Sequence, residues 1–61
     1  MTAADTVNRR QRVLEYVRTH PYTTAGAVTR ALQGNPGTIT KDLDALAAQG
    51  LVTYKQGWRT V

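Results

Sequence analysis

The side chains of this sequence that could do chemistry are mostly cations. Eight arginines and lysines face only four carboxylates in 61 residues, which gives a formal net charge of +4 and an isoelectric point near 10.1. Six of the eight are arginines, which bind phosphate or guanine through paired hydrogen bonds, whereas lysine acts as a point charge. This balance favours polyanionic partners, nucleic acid first and anionic membrane surfaces second.

The composition of the sequence gives little support for catalysis or for metal binding. The sequence has no cysteine, and His20 is its only histidine. Its four carboxylates are scattered, so no set of nucleophile, base and orienting group stands out, and no acid–base pair does either. We therefore predict that the protein is not an enzyme and that it binds no metal and no cofactor.

The length of the chain predicts one small domain over residues 1–61. A domain of this size buries only roughly 60% of the surface that its unfolded chain exposes, so its core must be compact. Without cysteine, no disulfide can contribute to stability. No stretch is long and apolar enough for a membrane span or a signal-peptide core. We expect a cytoplasmic protein, associated with the nucleoid when bound.

The first element that the sequence predicts is a helix over 6–19. Apolar residues such as Val13 and Val17 recur there near the helical period, and charged residues fill the positions between them. Pro21 ends the segment, because the residue before a proline is pushed out of the helical conformation. Residues 1–5 lack apolar periodicity, and we predict that they are disordered.

The second predicted helix covers 24–33. Thr24 is a suitable N-cap, and Val28 and Leu32 lie on one face of the segment. Gly34 follows as a C-cap, because glycine readily adopts the left-handed conformation in which many helices end.

The third predicted helix covers 36–49 and has the clearest boundaries. Asn35 is among the best N-cap residues, and Pro36 is favoured at the first helical position. Gly50 is its C-cap. Its apolar face is formed by Ile39, Leu43, Leu46 and Ala47.

A β-hairpin is predicted over 51–61, where residues that favour strands flank a turn at 55–57. Two registers are open. A two-residue turn would pair Lys55 with Trp58, and a three-residue turn would pair Tyr54 with Trp58. Because so small a chain has little core, we expect at least one of these two aromatic residues to complete it.

The predicted fold class is α+β, mainly α: three helices and a C-terminal hairpin, with residues 33–35 forming a tight turn between the second and third helices. This order is typical of a helix-turn-helix with a wing. Residues 38–46 read Thr-Ile-Thr-Lys-Asp-Leu-Asp-Ala-Leu, and 49–52 read Gln-Gly-Leu-Val. Over 24–52 the chain resembles the winged helix-turn-helix domains of bacterial transcription regulators, including the DeoR-type and MarR-type groups.

The resemblance implies that the third helix enters the major groove of DNA. The face away from its apolar residues would then meet DNA near the helix start, where threonine can contact bases and lysine can bind guanine or phosphate. The alternative is an ordinary solvated helix face. The candidate residues on this helix are Pro36, Gly37, Thr38, Thr40 and Lys41. The sequence departs from the family at Gly34, usually a buried aliphatic residue, and at Gly37, usually arginine or serine.

The wing and the first helix supply further candidates. In the family the wing reaches the minor groove or the backbone, which assigns DNA contacts to Lys55, Gln56 and Arg59. An ordinary charged turn is the alternative. Arg9 and Arg10 could clamp the flanking backbone, or could form a solubilising face.

Three functions follow as hypotheses. The first is duplex DNA binding by a small transcription regulator or a recombination or replication accessory factor, as a homodimer or on tandem sites. The second is a winged-helix module that binds a polymerase, a replication protein or a host protein. The third is charge-driven binding to duplex DNA or RNA without sequence preference. None of them requires a membrane.

Overall fold

The computed structural model describes residues 3–61, and it confirms the predicted fold class: α+β, mainly helical, with a hairpin after the helices. None of the helices in this range has the length and apolarity needed to cross a bilayer. The elements in chain order are α1 (Ala3–Thr19), α2 (Ala25–Leu32), α3 (Pro36–Ala48), β1 (Val52–Tyr54) and β2 (Trp58–Thr60).

Helix α1 begins earlier than the apolar periodicity indicates. It starts at Ala3, so the predicted disorder over 1–5 is wrong for residues 3–5, whereas residues 1–2 lie outside the described range. Alanine has the highest helix propensity, and the carboxylate of Asp5 in the first turn interacts favourably with the helix dipole. These local interactions stabilise the first turn of the helix, where residues 3–5 are all exposed. The helix ends at Thr19, as Pro21 predicts.

The N-terminal caps of α2 and α3 are confirmed. The Thr24 hydroxyl accepts a hydrogen bond of 3.0 Å from the backbone N–H of Ala27. The Asn35 side chain accepts one of 2.9 Å from the N–H of Gly37, with Pro36 at the helix start. Each cap satisfies one of the amide donors that a helix leaves without a partner at its beginning.

The turn between α2 and α3 differs from the prediction in the residue that takes the left-handed conformation. That residue is Gln33, with φ of 53°, rather than Gly34. The N–H of Gly34 then donates to the carbonyl of Thr29 at 3.0 Å. A Cβ at Gly34 would lie 3.1 Å from two side-chain carbons of Ile39, so a larger residue there requires the Ile39 side chain to shift by a few tenths of an ångström. At the end of α3, Gly50 is left-handed as predicted, with φ of 77°.

The core lies between the three helices and the first strand. Trp58 packs against it partly buried, which confirms that one of the two hairpin aromatics completes the core, while Tyr54 remains 64% exposed. The buried apolar residues are Val13, Val17, Val28, Ile39, Leu43, Leu46 and Val52.

The hairpin adopts the three-residue turn, with Tyr54 opposite Trp58. It is also tied to the segment before α2. Thr23 and Trp58 exchange two backbone hydrogen bonds, of 3.1 and 2.7 Å. Next to them, a Cβ at Gly57 would lie 2.5 Å from the carbonyl oxygen of Tyr22, so this close contact requires glycine. The wing is therefore anchored to the body of the domain.

Candidate nucleic-acid interface

The start of α3 presents an open polar surface. Pro36, Gly37, Thr40 and Lys41 are exposed there, and Thr38 is half-buried. The Thr40 hydroxyl donates a hydrogen bond of 2.9 Å to the carbonyl of Pro36, which leaves its oxygen lone pairs for an external donor. Lys41 has no ion-pair partner within residues 3–61. The five residues predicted on this helix therefore lie on one surface. The cation among them, Lys41, is available to an external anion.

The electrostatics of this surface favour an anion. The positive end of the α3 dipole lies at Pro36, and the first turn of the helix contains no acidic residue. Asp44 is the nearest exposed carboxylate along the helix, and it follows Lys41 by almost one turn. Threonine hydroxyls and a lysine ammonium can bind base edges and phosphates. Chemically, the arrangement suits the recognition of base edges or phosphates.

The wing residues lie on a separate element. Lys55 and Gln56 are exposed in the turn, where Gln56 takes the left-handed conformation. Arg59 is half-buried on β2 opposite Thr53, and its Nε has no hydrogen-bond partner in the described part of the chain. All three residues are thus placed on the hairpin as predicted, and their contact with DNA stays a prediction.

The two candidate arginines of α1 are engaged with α3. Arg9 donates from Nε and Nη2 to the two carboxylate oxygens of Asp42, with 2.9 Å between Nη2 and Oδ1. Arg10 donates from Nε to Oδ1 at 3.1 Å. Asp42 is completely buried, whereas the arginine side chains are 21% and 38% exposed. Neither arginine is therefore a freely moving surface cation.

Asp42 stays ionised in this environment. Burial raises the pKa of its carboxyl, but the hydrogen bonds and charges of Arg9 and Arg10 outweigh burial, so the pKa lies below its ordinary value. The same hydrogen bond raises the pKa of Arg9. One negative and two positive charges leave this cluster with a surplus positive charge beside α3.

Sequence reasoning missed Asp42, although a signal was present. It follows Ile39 by three positions, directly precedes Leu43, and precedes Leu46 by four. It therefore falls within the apolar arc of α3, where an acidic residue needs a partner. In a chain with an excess of arginine, that position indicates a buried ion pair. The sequence does not indicate which arginines form it.

Comparisons with known proteins identify no relative of this chain. The chain matches no protein-family model, no curated protein and no solved structure. The resemblance to bacterial winged helix-turn-helix regulators therefore stays a prediction from residues 24–52.

Proposed function

We propose that this protein binds duplex DNA, with the start of α3 in the major groove and the hairpin on the adjacent backbone or minor groove. The role would be that of a small transcription regulator or of a recombination or replication accessory factor, acting at the nucleoid. One observation carries the proposal: the open face at the start of α3, in a helix-turn-helix pair, bears Thr40 and Lys41, and Lys41 has no ion-pair partner within residues 3–61.

The shape of this surface supports the proposal. The major groove of B-form DNA admits an α-helix, and a recognition helix contacts base edges near its N-terminal end. The tight turn over residues 33–35 joins α2 to the beginning of α3, where Pro36 and Gly37 are exposed and Thr38 is half-buried. The exposed part of the helix is thus the part that a groove would receive.

The charge of the domain sets the expected strength of binding. A single domain with +4 would neutralise roughly 4–6 phosphates, which gives salt-sensitive binding of modest affinity. Regulators commonly gain affinity by placing two domains on half-sites about one helical turn apart. We therefore propose that tight binding requires two copies on the DNA, as a homodimer or on tandem sites.

The test is a titration of labelled duplex DNA by fluorescence anisotropy at two salt concentrations. The double variant Thr40→Ala/Lys41→Ala should bind at least about tenfold more weakly than wild type, because base or phosphate contacts are lost. Arg12→Ala is the matched control: it removes one exposed positive charge from the side of α1 that lies beside Leu32 of α2, and should change affinity at most about twofold.

Two outcomes would contradict this function. Equal losses in the double variant and in Arg12→Ala would indicate binding by net charge alone, without a recognition helix. An absence of binding at low salt would exclude DNA binding by the isolated chain.

A second candidate, a protein-interaction module, is favoured by a groove between α1 and α3 whose lining contains four apolar residues together with Arg10, Gln11 and Gln49. Its volume is about 350 Å³, and Leu14 and Leu46 contribute to its lining. Val7 and Leu51 at the groove are 53% and 41% exposed. If this candidate is right, Val7→Ser/Leu51→Ser abolishes binding to the partner, whereas Thr40→Ala/Lys41→Ala does not.

A further inference from the structure

We propose that Asp42 is a positioning residue of the DNA interface, which holds the guanidinium of Arg10 beside α3 with its terminal nitrogens directed to a DNA phosphate. The inference rests on the proposed function and extends it to a residue that is itself fully buried. Asp42 would never touch DNA, and it would act only through the orientation of Arg10.

The two arginines use Asp42 differently. Arg9 donates from two nitrogens to both carboxylate oxygens, and its side chain is only 21% exposed. Arg10 donates from Nε alone, its side chain is 38% exposed, and its terminal nitrogens have no hydrogen-bond partner within residues 3–61. Arg9 therefore neutralises the carboxylate, and Arg10 retains two donor groups and a full charge for an external anion.

The location of the Arg10–Asp42 pair suits a phosphate at the edge of the DNA major groove. Asp42 directly follows Lys41 and lies one helical turn after the half-buried Thr38, so the Arg10 guanidinium is held where α1 meets the flank of α3, at the mouth of the groove between these helices. An arginine that is already fixed through Nε loses less rotamer freedom when its other nitrogens bind phosphate. Asp42 therefore lowers the net positive charge of the domain by one, but it orders the Arg10 guanidinium before DNA binds.

Two simpler roles of Asp42 predict different results. If Asp42 only stabilises the fold, its loss lowers stability and leaves the contribution of Arg10 to DNA binding unchanged. If Asp42 only reduces the positive charge of the domain, Asp42→Asn strengthens DNA binding, because the net charge rises by one.

The experiment is a double-mutant cycle on duplex DNA binding with wild type, Arg10→Gln, Asp42→Asn and the double variant, each checked for folding by circular dichroism. We expect Arg10→Gln to weaken binding about 5–10-fold and to reduce the salt slope by about one phosphate contact. Asp42→Asn should weaken binding despite its added charge. In that background, Arg10→Gln should cost less than about twofold.

Arg10→Lys covers the case in which Asp42→Asn does not fold. It preserves the net charge and the Arg9–Asp42 pair, but all three donors of a lysine ammonium lie on one nitrogen, so they cannot span Asp42 and a separate phosphate as the Nε and Nη groups of arginine do. Binding by Arg10→Lys should therefore be weakened nearly as much as by Arg10→Gln. Arg12→Gln, on the same helix, should show the same small effect with or without Asp42.

Three results would overturn the inference: equal costs of Arg10→Gln in both backgrounds, tighter binding by Asp42→Asn, or wild-type affinity in Arg10→Lys. Each leaves the proposed function standing as long as the wild-type chain binds DNA and Thr40→Ala/Lys41→Ala weakens that binding. A wild-type chain that does not bind DNA removes the proposed function and this inference together.

Discussion

Asp42 and Asp44 lie two residues apart on α3, yet one is completely buried and the other is exposed. Asp42 holds two arginines from α1, whereas Asp44 forms no ion pair in the described part of the chain. Lys41 adjoins Asp42 in sequence, is also exposed, and has no ion-pair partner within residues 3–61. On this helix, the phase of a charged residue decides whether it serves the interior of the domain or remains available to a partner.

The same division applies to the neutral residues of α3. Ile39 and Leu43 fill the core, and Thr40 between them is exposed, with its hydroxyl bonded to the helix itself. Side chains on the buried side of the helix thus pack against other elements, whereas Thr40 on the open side bonds the backbone of α3 itself. Three predictions test how sharp this division is.

The largest effect is expected in the core. Leu43→Ala should lower the free energy of unfolding by about 2–5 kcal/mol, because it removes buried carbons and leaves a cavity. A domain of this length has roughly 3–9 kcal/mol of stability, so we expect this variant to lose a large part of its folded population. Lys41→Ala on the open side should change the value by less than about 0.5 kcal/mol. Urea denaturation measures both, and similar losses in the two variants would contradict the division.

The second effect is a pH dependence that comes from Asp42. Because folding lowers the pKa of this carboxyl, its contribution to stability is present above the unfolded pKa of about 4 and is lost as pH falls through the folded value. Asp42→Asn should cost about 1.5–3 kcal/mol at pH 7, as expected for hydrogen bonds to a charged group, and the difference from wild type should shrink on acidification.

Urea titrations between pH 7 and pH 2 measure this difference. The exposed Glu15 is the control: its pKa is lowered by the hydrogen bond from Arg18, but both side chains are more than half exposed. Glu15→Gln should therefore have little effect on stability at any pH. A constant gap between Asp42→Asn and wild type across the titration would show that the ion pair does not contribute.

The smallest effect is expected where the open side of α3 begins. Asn35→Ala should lower stability by about 1 kcal/mol through loss of the cap to the Gly37 N–H, and Asn35→Gly should cost only a few tenths. Asn8→Ala in the exposed middle of α1 is the matched control, and it should be neutral or slightly stabilising. Thermal unfolding measures the three variants, and equal losses at positions 8 and 35 would argue against the cap.

The parts of the fold that could be predicted depend on neighbours in sequence. Caps at Thr24, Asn35 and Gly50 concern residues within a helical turn of each other, and the structure confirms them. The sequence alone leaves the register of the hairpin open between a two-residue and a three-residue turn. In the observed register, with Tyr54 opposite Trp58, Gly57 lies in close contact with the backbone of Tyr22. That contact is not encoded locally.

The candidate site divides in the same way. Exposure of Thr40 and Lys41 follows from helical phase alone, and the structure places them as expected. The engagement of Arg9 and Arg10 with Asp42 joins residues more than thirty positions apart, so only the packing of α1 on α3 brings them together. Charge counting indicated an interface but did not show which cations the fold itself uses.

The two backbone hydrogen bonds between Thr23 and Trp58 have a consequence for the order of folding. They close the segment that contains α2, α3 and β1 into a loop, and the entropy of loop closure opposes this step until the helices have shortened the path. We therefore expect the wing to form late, after the helices have docked. Because it adds to helices that are already packed, we expect it to open before the core does, so that these two amides exchange with solvent water through local opening rather than only through global unfolding.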